Sequence, residues 1–256
     1  MNAYRGHRGV RRVRTRLRAV AERWARDLPP ARRLRFALAM GALEGFARGR
    51  PLTILDAGCG EGLMAAALAR RHPDWRIVAA DLDREGLRRA RALLQASGVR
   101  NVHLVQLDLA RPLARTCYDA VLALECLVEI PDDDAALRQM VQALRSGGLL
   151  LSHVPERSWR PVLPGSPYTW RHEVRHGYLE SEVKDKLEHA GAEVTGVVRT
   201  TRATVAVAQE IRDRCKGRSL KVQAALYPLM LGAVWLERWG ATWGPARAML
   251  VEARRR

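Results

Sequence analysis

The sequence predicts an α/β fold built on a mostly parallel sheet, and three observations predict it. From residue 51 onward, short apolar runs alternate with helical stretches of crossover length, the pattern of strands joined through helices. The first run leads into a glycine-rich turn, "ILDAGCGEGL" at 54–63, and a helix opens behind it. The second and third runs each end in an aspartate, Asp81 and Asp108. A chain of 256 residues is long enough for one sizeable core.

The elements follow in order. Residues 1–50 read as a basic helical extension. Val10, Val13, Leu17, Val20 and Trp24 recur at three- and four-residue spacing with arginines between them, and Pro29 and Pro30 end that helix. A second helix is expected over 31–46, with Leu34, Leu38 and Leu43 on one side. Strands are expected at 52–57, 76–81, 101–108 and 118–125, with helices at 63–71 and 84–96 between them. A helix at 132–144 has an acidic first turn that suits its dipole. "SGGLLLSHV" then supplies a glycine stop and a fifth strand. Residues 156–180 have neither period and read as a lid or substrate loop. A helix at 181–190 and a sixth strand at 193–200 resume the pattern. Residues 203–240 read as helical and 246–254 as a last strand returning to the sheet.

Composition narrows the partners. The formal net charge is +17, and +11 of it sits in residues 1–50. A concentrated basic arm suits a polyanion or an anionic membrane touched through residues 1–35, or it is a solvated helix face. The four cysteines have no C-x-x-C spacing, which argues against a disulfide framework and a zinc site. No apolar stretch follows the arginine-rich start, so no signal peptide is expected. The longest apolar run, 224–236, is too short for a bilayer. A reduced, cytoplasmic setting is expected, with peripheral membrane contact as the alternative.

The glycine loop is a ligand cradle, because glycines let the backbone approach closely and helix N-terminal amides favour polar groups. Its spacing is G-x-G-x-G, not the dinucleotide G-x-G-x-x-G, and it has no lysine for a Walker loop. Asp81 is placed to reach two ribose hydroxyls, and Asp108 to accept from an adenine amine. A nucleoside without a pyrophosphate fits these groups, and S-adenosylmethionine (SAM) is such a ligand.

"ILDAGCGEG", "VAADLD", "VQLDL", "YDAVLALECLVEIPD" and "LRSGGLLLSHVP" resemble the successive motifs of the class I SAM-dependent methyltransferases. The resemblance covers about residues 51–155, with a weaker echo in "GYLESEVKDKLEHAGAEV". It implies a seven-stranded doubly wound sheet of order 3-2-1-4-5-7-6 with the seventh strand antiparallel, which makes 246–254 strand seven, 203–240 an inserted helical cap and 51–200 with 245–256 the α/β domain, behind the N-terminal helices. It implies SAM as cofactor and S-adenosylhomocysteine as product. Asp56, Gly58, Gly60 and Gly62 would line the methionine end, Asp81 would bind ribose, Leu82 would pack on adenine, and Asp108 with Leu109 would border the ring. Leu124 and Glu125, ending the fourth strand, would complete the cofactor contacts.

Methyl transfer needs an acceptor held close behind the methyl and, for O–H or N–H acceptors, a base. Glu129, in "VEIPD", stands where many relatives have a histidine. Only Glu125 and Glu129 could ligate a metal there, so none is expected. His153 ends the fifth strand and is either a base or a packed residue. The lid offers His172 and His176 as catalytic groups and Trp170, Glu173, Arg175 and Tyr178 for substrate. The 220–239 helix is apolar on several sides and reads as core, a homodimer interface or a membrane rest. The leading expectation is methylation of a small molecule, a natural-product, isoprenoid, glycan or lipid intermediate. Methylation of RNA or ribosomal protein through the basic arm is the alternative, although no N-P-P-Y-like tetrad follows the fourth strand. Non-catalytic SAM binding is the third.

Overall fold

A computed structural model describes residues 29–113, 117–166, 173–215, 220–240 and 243–256, with the backbone alone for 220–224. The first helix expected in the basic arm, Trp170 and His172 lie outside the described residues. The strands are β1 (Thr53–Ala57), β2 (Arg76–Asp81), β3 (Val102–Gln106), β4 (Tyr118–Leu124), β5 (Leu144–Pro155), β6 (Ala192–Thr200) and β7 (Ala248–Arg255). The helices are α1 (Pro30–Ala47), α2 (Leu63–Arg71), α3 (Arg84–Ser97), α4 (Asp133–Ala143), α5 (Glu180–His189), α6 (Ala203–Arg214) and α7 (Leu220–Arg238). All seven strands join one sheet in the order β3-β2-β1-β4-β5-β7-β6.

β1 pairs in parallel with both β2 and β4, setting Asp56 opposite Ala79 on one side and Leu122 on the other. β7 runs antiparallel between β5 and β6. The chain winds outward in both directions from β1, so a crevice opens at the strands' C-terminal ends where β1 and β4 diverge. The central strands are continuous apolar runs because helices cover both faces. One face packs Leu55, Val121 and Leu150 against Leu137 and Met140 of α4 and Val183 and Leu187 of α5. The other packs Ile54, Ile77 and Leu122 against Ala39 and Leu43 of α1 and Leu68 of α2.

Three local differences bear on the site. β3 ends at Gln106, so Asp108 sits in the following turn, its Oδ1 accepting from Ala110 N at 3.0 Å. β5 begins at Leu144, and Gly147 and Gly148 lie inside it, where its pairing with β4 shifts register. A single 3₁₀ turn, Leu127–Glu129, interrupts the connection after β4 and carries Glu129.

Among the described residues, none of α6 or α7 lines the sheet's crevice. They pack on the outer side of α1, where Leu34 meets Val205 and Ala208 of α6 and Met230, Ala233 and Val234 of α7. The segment expected as a lid is pinned at both ends. Buried Glu210 on α6 accepts from Val162 N, Leu163 N and Ser166 Oγ at 3.1, 2.8 and 2.9 Å. Tyr178 N donates to Pro155 O at 2.9 Å.

Candidate active site

A crevice of about 940 Å³ lies where the first four strands end, within the ordinary range for small-ligand sites. It gathers nine of the ten residues expected at the cofactor: Asp56, Gly58, Gly60, Asp81, Leu82, Asp108, Leu109, Leu124 and Glu125. Gly62 is the exception. A Cβ there would stand 2.9 Å from the Ala90 Cβ, so this glycine lets α2 approach α3 and does not line the crevice.

The loop after β1 is held by backbone geometry. Gly58 N and Cys59 N both donate to Ala80 O, at 2.8 and 3.0 Å, which ties the loop to the end of β2. Gly58 has φ +71°, and an added Cβ would lie 2.3 Å from the Cys126 Cβ, so the loop closes on the turn after β4 only without a side chain. Gly60 has φ +52°, but nothing lies within 4 Å of a Cβ there. Its N–H donates to Asp81 Oδ2 at 2.7 Å, and Asp81 Oδ1 accepts from Asp83 N at 2.9 Å. The Asp81 carboxylate is thereby fixed at the crevice wall. Burial pushes the Cys59 and Cys126 thiols up and keeps them protonated and weakly nucleophilic.

Asp56 gives the clearest sign of what the crevice takes. It is 2% exposed, and its Oδ2 is buried without a hydrogen-bond partner. Burial pushes its carboxyl up to about 7 against a bond from the Ala65 backbone, and Asp81 adds to the rise. An ammonium brought against it would satisfy the orphaned oxygen and restore the charge. Arg32 of α1 lines the same crevice and is a cation suited to a carboxylate. With Asp81 for ribose hydroxyls and Leu82, 63% exposed, as an apolar platform for a base, the residues fit SAM.

Glu125 follows β4 with φ +69°, a left-handed backbone that a non-glycine residue adopts only under constraint. The constraint is visible: Glu125 N donates to His153 O at 2.9 Å, and Oε1 meets Arg35 Nη1 at 2.9 Å and His153 Nδ1 at 2.6 Å. Burial alone would raise its carboxyl, but the charges of Arg35, His153 and Arg247 hold it at about 2. His153 Nε2 lies 2.9 Å from the Thr200 hydroxyl. An Nδ1–H given to Glu125 leaves Nε2 to accept from Thr200. Burial pushes the imidazole pKa down against the pull of Glu125.

The acceptor-side candidates therefore separate. Glu129 lines the crevice at its rim, beside Ile130 and Pro131. His153 is 2% exposed and stands behind Glu125, with both ring nitrogens engaged and no surface on the crevice. His176 is exposed and Glu173 half-buried, and neither lines the crevice. Tyr178 is fully buried, its hydroxyl donating to Asp133 Oδ2 at 2.7 Å. Arg175 stacks over the Tyr178 ring and pairs with Asp133 and Glu182. These two residues fasten the 173–179 segment to the start of α4. Among the described residues, none of 156–180 or 203–240 lines the crevice; α1 does, through Arg32, Arg35 and Phe36. The lid still touches the site indirectly, since Val174 N donates to Val128 O at 2.9 Å in the turn that carries Glu129. No cluster of metal-ligating side chains occurs among the described residues.

A family model described as "Methyltransferase domain" matches residues 54–148, the stretch that builds this crevice. Methyltransferase GfsG of Streptomyces halstedii is 36% identical over 101 residues, which is 38% of this chain and 35% of that protein. A ubiquinone biosynthesis O-methyltransferase of Xanthomonas axonopodis pv. citri is 36% identical over 155 residues, 56% of this chain and 64% of that one. The chain thus matches less than two thirds of the length of either relative. Among solved structures, a putative sarcosine dimethylglycine methyltransferase from Galdieria sulphuraria superposes with a TM-score of 0.61 at 15% identity. That likeness covers 87% of this chain and 85% of that one, and speaks for the fold. Sequence motifs, sheet order and crevice agree: residues 54–148 are a methyltransferase domain, built on the class I SAM-dependent methyltransferase fold.

Proposed function

We propose that the chain transfers a methyl group from SAM to a small-molecule acceptor, a natural-product, isoprenoid, glycan or lipid intermediate. The observation that carries this reading is the wall that α1 raises beside the crevice, with Arg35 and Phe36 on it and Ile130 and Pro131 at the rim. A walled, partly apolar cavity suits a compact acceptor better than a polymer. The relative named for ubiquinone biosynthesis supports it.

SAM supplies a methyl on a sulfonium, open to in-line attack. The chain's own residues do the rest. Asp56 and Asp81 fix the cofactor by its amine and ribose, and the Arg35–Glu125 pair shapes the wall beside the reacting end. Glu129 is the described candidate base that lines the crevice, and it takes the proton of an acceptor O–H or N–H. Phe36 and Ile130 keep water from the methyl.

The test offers tritium-labelled SAM together with a small-molecule extract or total RNA. Label should enter the small-molecule fraction and be lost in Asp81→Ala. Label entering RNA alone, and lost when residues 1–28 are deleted, would overturn the reading in favour of a polyanionic acceptor. Tight S-adenosylhomocysteine binding with no transfer to any acceptor would point to a binding protein.

A further inference from the structure

The methyltransferase site leaves one surface unexplained, the outer face of α7. The inner face of that helix, Met230, Ala233 and Val234, is packed against α1 and α6. The opposite face carries Leu229, Leu231, Trp235 and Trp239, exposed by 58, 40, 60 and 75%, and Trp243 follows at 67% in the connection to β7. Leu231, Trp235 and Trp239 stand one turn apart, and the two indoles lie 6.3 Å apart and tilted. Single exposed leucines are ordinary on a protein surface, but two exposed tryptophans one turn apart among exposed leucines, with a third exposed tryptophan four residues on, mark a contact site.

We propose that this stripe lies in the headgroup zone of an anionic bilayer. Indole rings, apolar with one N–H donor, favour that zone. The charge pattern selects the same occupant. The one carboxylate of α7, Glu237, is turned inward, where both its oxygens accept from Arg202 N at 3.0 Å, while Arg238 is exposed. The stripe therefore presents no acid to a lipid surface. The chain's net charge of +17 draws it toward anionic lipid and sets two copies against each other. No described helix is long and apolar enough to cross a membrane, so the contact is with the surface. α1 touches α7 through Leu34 and the crevice through Arg35 and Phe36, so a single helix separates the docked face from the active site. The inference stands apart from the methyl acceptor's identity.

The experiment sediments the full chain with vesicles of phosphatidylcholine, alone or mixed with phosphatidylglycerol. The chain should bind the mixed vesicles with a blue shift of its tryptophan emission, and high salt should weaken the binding. The variant carrying Trp235→Ser, Trp239→Ser and Trp243→Ser should bind roughly tenfold more weakly. Its S-adenosylhomocysteine affinity and melting temperature should not change, because all three rings are exposed. Should the triple variant melt early, Trp239→Ser alone gives the same reading at the most exposed ring. Equal binding by the variants, or no binding by the parent chain, overturns the proposal. A dimer seen in sedimentation without vesicles, and lost in the variant, assigns the face to a second copy instead.

Discussion

Arg35 on α1 and Glu125 after β4 meet at 2.9 Å across the crevice, joining a helix outside the matched domain to the strand end where the reaction is expected. The pair is mostly shielded, with side-chain exposures of 13 and 30%. Arg35→Met should destabilise the protein by about 1–3 kcal/mol, toward the low end because Glu125 keeps some solvent. The sign with pH follows from Glu125. Its folded pKa of about 2 lies below the ordinary 4.5, so it contributes stability that is present above pH 4.5 and lost as pH falls. The gap between parent and variant in chemical denaturation should therefore be widest near neutrality and narrow below pH 4.5.

Gly58 and Gly60 share a left-handed backbone but differ in what surrounds them. A Cβ at Gly58 meets the Cys126 Cβ at 2.3 Å, whereas one at Gly60 meets nothing within 4 Å. Gly58→Ala should cost about 1–3 kcal/mol of stability through overpacking, and Cys126→Gly should recover part of it. Gly60→Ala should cost about 1 kcal/mol from its backbone alone. It should also weaken S-adenosylhomocysteine binding by filling the crevice. Calorimetric melting and ligand titration of the two variants separate the effects.

The strands and the cofactor side of the crevice were legible because they depend on short, local features, whereas the order of the strands came only through the family resemblance. A buried strand, a glycine turn and a carboxylate at or just past a strand end each announce themselves within ten residues. The acceptor side was less legible. Arg32, Arg35 and Phe36 are spaced to share one helix face, but nothing local distinguishes arginines facing a cavity from arginines facing solvent. Gly62 reads like its neighbours in the loop, and only the approach of Ala90 reveals its different task. The lid's polar cluster suggested substrate contacts. Tyr178 and Arg175 instead spend their polar atoms on Asp133 and Glu182, partners that lie far off in sequence or across a turn.

Glu129 and His153 should respond differently to conservative replacement. Glu129 borders the crevice, so Glu129→Gln should lower the methyl-transfer rate by about a hundredfold and leave product affinity near its parent value. His153 supports Glu125 from behind and is buried between it and Thr200. His153→Gln should lower the melting temperature and raise the Glu125 pKa, with a rate loss that tracks stability. Rates, S-adenosylhomocysteine titration and melting of both variants decide the assignment. A pH–rate profile whose acidic limb survives in Glu129→Gln would sink Glu129 as the base.

Asp56 should make the ligand-free protein lose stability as pH rises. Its folded pKa, about 7, exceeds the ordinary 3.8, so between those values the folded state binds the proton that the unfolded chain has released. Folding is then opposed progressively as pH climbs from about 4 to 7, opposite in sign to the Glu125 contribution. Asp56→Asn removes that dependence, so the variant should be more stable than the parent at pH 8 and nearly equal to it at pH 4. The same change discards the carboxylate that an ammonium needs, and S-adenosylhomocysteine should bind at least roughly tenfold more weakly. Product binding to the parent should also release a proton from Asp56 near pH 6. Titration calorimetry in buffers of different ionisation enthalpy would detect that release, and its absence would mean that the ligand's amine does not pair with this carboxylate.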